Sequence, residues 1–204
     1  MSKSVAGVMA ALLGLCVSIS TGHAQVRCRD VVDLSYSNPM TFCMRSDIFV
    51  SAIGHISKDT PIEFLSFLET VVKLGYEPHS VTFHSPGGSL LGGVTLGRVI
   101  RKLKLDTHVG KSSKCASACM LAFIGGWSRK VTHDGRIGNH QLSDSATDVA
   151  SIEGIQDLIG YLVEYHKEMN VSPLAVTAAM TRHADEIYWY DSRERSEWGI
   201  VTKR

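Results

Sequence analysis

Between residues 47 and 202 the sequence alternates short apolar runs with segments of helical periodicity. Runs rich in Ile, Val and Phe, such as residues 47–56, are typical of buried strands. Other segments, such as residues 149–166, repeat their apolar residues at the period of an amphipathic helix. Strands and helices that alternate in this way pack as layers around one core. The pattern therefore predicts an α/β domain.

The same pattern predicts where the elements begin and end. The predicted strands are residues 47–56, 80–84, 106–110, 130–132, 136–138, 186–190 and 200–202. The predicted helices are residues 60–72, 90–103, 116–124 and 146–169, with one more after Pro173. Residues 25–44 are polar and show little periodicity, so they are predicted to be an N-terminal extension of a domain that spans residues 45–204.

Residues 1–24 have the order of a secretory signal peptide. Lys3 supplies the positive start, an apolar run follows at residues 5–19, and Gly22 and Ala24 are the small residues of a cleavage site. The run has about 15 residues, fewer than the roughly 20 that span a bilayer, so cleavage is favoured over a membrane anchor. We therefore expect a periplasmic or secreted protein with no stable membrane span after cleavage.

Charge and cysteine content narrow the classes of partner and the compartment. The formal net charge is +1, so the chain lacks the basic footprint of a nucleic-acid-binding protein, and nucleic acid is not an expected partner. Cys28, Cys43, Cys115 and Cys119 lie beyond the predicted cleavage site. An even number of cysteines in an exported chain favours disulfides over free thiols. The spacing suggests Cys28–Cys43 and Cys115–Cys119, although four cysteines allow three pairings.

Three segments carry residues suited to acyl-transfer chemistry. Residues 85–88, Ser-Pro-Gly-Gly, let backbone N–H groups approach a ligand, although such a segment is usually only a turn. Ser117 lies between two alanines at the start of a predicted helix, whose dipole favours a developing anion. The commoner role of such a serine is to cap the helix. His140 follows a short predicted strand, where its side chain can face a cleft.

Taken in order, these segments resemble the proteolytic subunit of the Clp protease, within the crotonase-like superfamily. The Ser-Pro-Gly-Gly turn at residues 85–88 matches that family, as do Ala116-Ser117 and His140-Gln141. Residues 197–201, Glu-Trp-Gly-Ile-Val, are similar to its closing segment. The resemblance covers roughly residues 45–202. It implies a crotonase-like (ClpP-like) α/β spiral of β-β-α units.

The resemblance also implies roles for single residues. Ser117 is expected to be the nucleophile and His140 the general base, with the backbone N–H groups of Gly88 and Ala118 as the oxyanion hole. The family's aspartate aligns near His183, which is not an acid. Two residues further, Asp185 is the expected third member of the triad, with Glu186 and Asp191 also close. Cys115 and Cys119, which flank the serine, are not part of the family's pattern.

The expected function is that of an exported Clp-like serine peptidase. It would act through an acyl-enzyme on short or unfolded peptides, as a homo-oligomer and without a cofactor. The alternative from another class is a binding or assembly module that kept the fold and lost hydrolysis, since the third acid does not match. Acyl-CoA chemistry of the crotonase type uses a similar oxyanion hole, but its substrate is intracellular and export argues against it.

Three other chemistries are weaker alternatives. A Ser-Lys pair would use Lys167 as its base, but His140 lies in the better motif. A metal site from His133, Asp134 and His140 lacks the usual ligand spacing, so no metal is expected. One of the two cysteines beside Ser117 would have to remain a thiol to be reactive itself.

Overall fold

The computed structural model describes residues 26–31, 34–142, 151–183 and 185–202. These residues form, in chain order, β1 (Thr41–Met44), β2 (Phe49–Ile53), α1 (Thr60–Lys73), β3 (Ser80–His84), α2 (Leu90–Lys102), β4 (Asp106–Val109), β5 (Lys114–Ala116), α3 (Ala118–Ile124), β6 (Arg129–Val131), β7 (Arg136–Asn139), α4 (Ile152–Glu168), α5 (Leu174–Ala179), β8 (Tyr188–Trp189) and α6 (Ser192–Glu197). The predicted signal peptide, residues 1–24, lies outside the described residues, as does the predicted start of the long helix at residues 146–150. None of these helices is both long and apolar enough to cross a bilayer.

The strands form two sheets. The large sheet has the order β1-β2-β3-β4-β6, in which β1 is antiparallel to β2 and the remaining pairs are parallel. The small sheet has the order β5-β7-β8, with β5 parallel to β7. Val50, Val81 and Phe83 of the large sheet belong to the same buried cluster as Phe64 of α1 and Ile100 of α2. This core explains why β2 and β3 read as apolar runs.

The chain repeats a strand-strand-helix unit. In β4-β5-α3 and again in β6-β7-α4, the first strand joins the large sheet and the second joins the small one. After β3, Ser85 forms a parallel bridge with Cys115 of β5, so this part of the chain also reaches the small sheet before α2 begins. The prediction of an α/β domain built of such units is confirmed.

Helices α2 and α3 pack closely because glycines lie at their contact. A Cβ atom on Gly93 would collide with the carbonyl oxygen of Ala118, and one on Gly97 with the hydroxyl of Tyr165. That hydroxyl donates a hydrogen bond to the Leu121 carbonyl at 2.7 Å, which joins α4 to the same contact. The N-termini of α2 and α3 are thereby held beside each other.

A buried arginine joins the ends of three helices. The guanidinium of Arg129, in β6, donates hydrogen bonds to five carbonyl groups, those of Ile124, Gly126, Met169, Gly199 and Ile200. These carbonyls lie at or just beyond the C-termini of α3, α4 and α6, where a positive charge is favourable. Burial lowers the pKa of Arg129 to about 10, so it remains charged at neutral pH.

The structure differs from the predicted elements at several places. Residues 41–44 form the edge strand of the large sheet, so that sheet begins within the segment predicted as an extension. A disulfide joins Cys28 to Cys43 of this strand, with the sulfurs 2.11 Å apart. The strand β5 and the helix α6 were not predicted. Residues 200–202, predicted as a strand, do not form one; Thr202 instead caps the start of β6 by accepting a bond from Arg129 N–H.

Candidate active site

Ser117 forms a one-residue turn between a strand and a helix. Strand β5 ends at Ala116 and α3 begins at Ala118. The backbone of Ser117 has φ 55° and ψ −128°. A non-glycine residue at such a positive φ is strained by about 1–3 kcal/mol and persists only where its surroundings hold it. A serine in a sharp strand-to-helix turn of this kind presents its hydroxyl at the surface of the fold.

The hydroxyl of Ser117 is not used for capping. Within the described residues its side chain makes no cap hydrogen bond to α3, so the commoner role of a serine at this position is not adopted here. The residue is partly exposed and lines a cleft. Its oxygen is therefore accessible to a substrate.

Three contacts hold this turn. The backbone N–H of Ser117 donates to the carbonyl of Gly138 in β7 at 3.0 Å. Gly87, at φ 101°, lies so close that an added Cβ would be 2.7 Å from the Cβ of Ser117. The sulfurs of Cys115 and Cys119 are 2.04 Å apart, the distance of a disulfide, and both residues are fully buried. Neither is therefore a free thiol, which removes the alternative of a reactive cysteine beside the serine.

His140 follows directly after β7 and is half-buried. Its Nδ1 atom lies 2.6 Å from the carbonyl oxygen of Gln141. A carbonyl oxygen only accepts, so Nδ1 must carry the proton of this bond. In the neutral ring, Nε2 then has the lone pair that a general base needs.

Gln141 is itself fixed at both its side chain and its backbone. The side-chain amide donates to the Met180 carbonyl at 2.7 Å, and the backbone N–H donates to the Arg182 carbonyl at 3.2 Å. The carbonyl that faces His140 is therefore held by the segment that follows α5. The sequence gives no signal for this partner of His140, because every residue has a backbone carbonyl.

The N–H groups of Gly88 and Ala118 are both free of hydrogen bonds within the described residues. Ile56 bonds to the chain on both sides of Gly88, donating to Gly87 O and accepting from Ser89 N, each at 2.8 Å. This parallel bridge turns the N–H of Gly88 away from Ile56. In the part of the chain that the structure describes, neither this N–H nor that of Ala118 has a hydrogen-bond acceptor. Both groups are thus available to an oxyanion.

One cleft brings together four of the predicted site residues. The cleft is narrow and partly open to solvent. Ser117 and His140 line it with Gly88 and Ala118, and its walls are mostly apolar, formed by Leu90, Leu121, Leu142, Leu162, Val176 and Met180. A peptide carbonyl that enters this cleft would meet a hydroxyl, an imidazole and two backbone donors.

The predicted acid does not lie in this cleft. Asp185 is exposed on a turn, and no hydrogen bond or ion pair to its carboxylate occurs among the described residues. Asp191 caps α6 by accepting from Glu194 N–H at 2.8 Å. Glu186 lies with Asp191 along a separate surface depression. The side of His140 that an acid would occupy faces the Gln141 carbonyl instead.

The weaker alternatives do not lead to a site. Lys167 is exposed and paired with Glu164 at 2.7 Å, and it does not line the cleft. His133 and Asp134 bond to each other at 2.9 Å on the surface. Over residues 26–31, 34–142, 151–183 and 185–202, no group of three or more His, Cys, Asp or Glu side chains is placed to hold a metal ion.

Comparison with solved structures shows that this chain has the fold of the ClpP-like proteases. ClpP1 from Listeria monocytogenes is 18% identical, with a TM-score of 0.58 over 75% of this chain and 88% of that chain. The ClpP protease catalytic domain from Plasmodium falciparum is 22% identical, with a TM-score of 0.55 over 75% of this chain and 82% of that chain. A mutant of a membrane-bound stomatin-specific protease is 14% identical, with a TM-score of 0.52 and 76% of each chain covered. No protein-family model and no curated protein sequence matches the chain.

Proposed function

We propose that this protein is an exported serine peptidase that cleaves short or unfolded peptides through an acyl-enzyme. The observation that carries the proposal is the single cleft lined by Ser117, His140 and the two unpaired donors of Gly88 and Ala118. The ClpP-like fold supports a peptidase as the class of protein. The two disulfide pairs are compatible with the oxidising compartment that export implies.

In this mechanism, Ser117 Oγ attacks the substrate carbonyl and His140 Nε2 takes the hydroxyl proton. The oxyanion of the tetrahedral intermediate accepts hydrogen bonds from Gly88 N–H and Ala118 N–H, each donor contributing about 2.7–4 kcal/mol. His140 then gives its proton to the leaving amine, and water hydrolyses the acyl-enzyme. The chemistry uses no metal or cofactor.

The orienting group for His140 is assigned to the backbone of Gln141. In a Ser-His-Asp triad the acid accepts from Nδ1–H, which fixes the tautomer and the orientation of the ring. The Gln141 carbonyl makes that bond here at 2.6 Å. Asp185, the acid expected from the resemblance, takes no part in the proposed mechanism and is tested separately below.

A serine-reactive fluorophosphonate probe tests the nucleophile. The wild-type chain should be labelled, with the probe located on Ser117 by mass spectrometry, and Ser117→Ala should abolish labelling. Ser113→Ala is the matched control, because Ser113 directly precedes β5 and does not line the cleft. Equal labelling of the wild type and Ser117→Ala would overturn the mechanism.

The second candidate is a peptide-binding module without hydrolysis. Within the described residues Ser117 and His140 make no hydrogen bond to each other. Catalytic contacts are often loose before substrate binds, so the reaction with the probe is the measurement that separates the two functions. A folded wild-type protein that binds peptides but neither reacts with the probe nor cleaves them would favour the second candidate. We also propose that the protein forms a homo-oligomer. Light scattering of the same sample tests this.

A further inference from the structure

The disulfide between Cys115 and Cys119 closes a covalent ring around the proposed nucleophile. Cys115 belongs to β5 and Cys119 to the first turn of α3, and Ser117 lies midway between them. Both cysteines are fully buried, so a dithiol reaches the sulfurs only when the turn opens locally. The bridge therefore constrains the buried turn between β5 and α3.

The geometry of this turn needs such a constraint. Ser117 has a positive φ, which a serine leaves unless its surroundings hold it. Helix α3 has seven residues, too few to be stable without its tertiary contacts. Its first residue supplies the Ala118 N–H of the proposed oxyanion hole. A bridge from β5 to α3 fixes the angle between strand and helix, and with it both the hydroxyl and this donor.

We infer that the Cys115–Cys119 disulfide positions Ser117 and makes the proposed active site dependent on redox state. This inference rests on the proposed function. With the bridge intact, the turn is held in the reactive conformation. A dithiol that gives two electrons and two protons converts the bridge into two thiols and becomes a disulfide itself. The turn then relaxes toward a common backbone conformation, and Ser117 loses its alignment with the cleft.

The second disulfide of the chain is a matched control. Cys28–Cys43 joins the N-terminal segment to β1, and neither residue lines the cleft. The two bridges close loops of different length, with sequence separations of 15 and 4. A longer loop loses more entropy in the unfolded chain, so Cys28–Cys43 should contribute more to stability. Removing each bridge in turn therefore separates an effect on the stability of the protein from an effect on the position of Ser117.

The experiment compares two double variants of the full chain, Cys115→Ala/Cys119→Ala and Cys28→Ala/Cys43→Ala. For each we measure the melting temperature, the rate of fluorophosphonate labelling of Ser117, and hydrogen exchange of the peptide that contains Ser117. Loss of the Cys115–Cys119 bridge should slow labelling by roughly tenfold or more, since small misplacements of reacting groups have effects of this size. Hydrogen exchange should rise locally. Loss of Cys28–Cys43 should lower the melting temperature further, with labelling unchanged.

The inference is overturned if the folded Cys115→Ala/Cys119→Ala variant reacts with the probe at the wild-type rate. It is also overturned if both double variants lose labelling in proportion to their loss of stability. If the alanine variant does not fold, wild-type protein reduced in mild denaturant and returned to native buffer replaces it, with thiols located by alkylation and mass spectrometry. Failure of the proposed function is a different result: the wild type is then unlabelled, while hydrogen exchange still reports whether the bridge holds the turn.

Discussion

The backbone N–H of Ser117 donates to the carbonyl of Gly138 at 3.0 Å. Gly138 pairs with Ala116 across the small sheet and lies two residues before His140. The proposed nucleophile and the proposed base are thus connected through strand pairing. Their relative position is set by the register of β5 on β7, and changes that disturb this register should reduce reactivity even when they are outside the cleft.

Gly87→Ala should impair the site through the backbone. The new Cβ would lie 2.6 Å from Ala116 O and 2.7 Å from Ser117 Cβ, and the residue has φ 101°. We expect fluorophosphonate labelling to fall by about tenfold or more and stability to fall by about 1–3 kcal/mol. Gly160→Ala is the control, because nothing lies within 4 Å of its added Cβ and it is in the interior of α4. That change should stabilise the protein by about 0.5–1 kcal/mol with labelling unchanged.

Asp185→Asn should leave labelling close to that of the wild type, because the carboxylate is exposed and makes no bond to His140 in the described structure. Replacing the aspartate of a working triad by asparagine reduces turnover by about 10⁴-fold. A loss of that size in Asp185→Asn would restore Asp185 as the acid and contradict the assignment to Gln141.

Gln141→Ala should slow labelling, since it removes the side-chain amide that holds Gln141 to the carbonyl of Met180.

Stability should fall in mild acid because of His166. This side chain is fully buried, and its Nε2 has no partner within the described residues. Burial lowers its pKa from 6.5 to about 4. The unfolded chain therefore binds the proton more tightly, and the stability present above pH 6.5 is lost as the pH falls toward 4. Between pH 7.5 and 4.5 this group should remove about 2–3 kcal/mol of unfolding free energy.

Urea unfolding of the wild type and of His166→Leu at the two pH values isolates this contribution. The variant should show a pH dependence weaker by about the same 2–3 kcal/mol. His133→Leu, at a fully exposed site, should follow the wild type. An unchanged pH dependence in His166→Leu would show that the buried imidazole is not responsible.

Arg129→Met should destabilise the protein strongly. It removes one donor from each of the five carbonyls at the ends of α3, α4 and α6. Arg101 still donates to the carbonyls of Ile124 and Met169, whereas those of Gly126, Gly199 and Ile200 lose their guanidinium donor. We expect a loss of about 3 kcal/mol or more, since each buried acceptor left without its donor costs about 1–3 kcal/mol. Arg29→Met, at an exposed site, should change stability by about 0.5 kcal/mol at most. Similar melting temperatures for the two variants would contradict this role of Arg129.

The elements with a clear hydrophobic period could be predicted from the sequence. Strands β2 and β3 and helices α1 and α2 are long enough for burial to leave a pattern. These strands and helices could be predicted because the burial of their side chains leaves a regular spacing of apolar residues in the sequence. The resemblance to the Clp proteolytic subunit predicts Ser117 and His140 in one site, and in the structure both line one cleft, each directly after a strand of the small sheet.

Other features depend on the backbone and left no such pattern. Strand β5 has three residues, Lys-Cys-Ala, too few to show alternation, and its pairing with β7 comes from tertiary contacts. The positive φ of Ser117 is imposed by its neighbours and is not a preference of serine. The partner of His140 is a carbonyl, which has no signature in the sequence. Asp185 was therefore predicted from its residue type, whereas the structure has a backbone group at that place.

The close packing of α2 on α3 has a consequence for the two proposed donors. Gly88 lies two residues before α2 begins, and Ala118 is the first residue of α3. The glycines at the contact let the helix backbones approach closely, with Gly93 against the carbonyl of Ala118. The spacing of the two N–H groups therefore depends on how the two helices pack. The affinity of an inhibitor shaped to that spacing would therefore report on the packing of α2 against α3 as well as on the site.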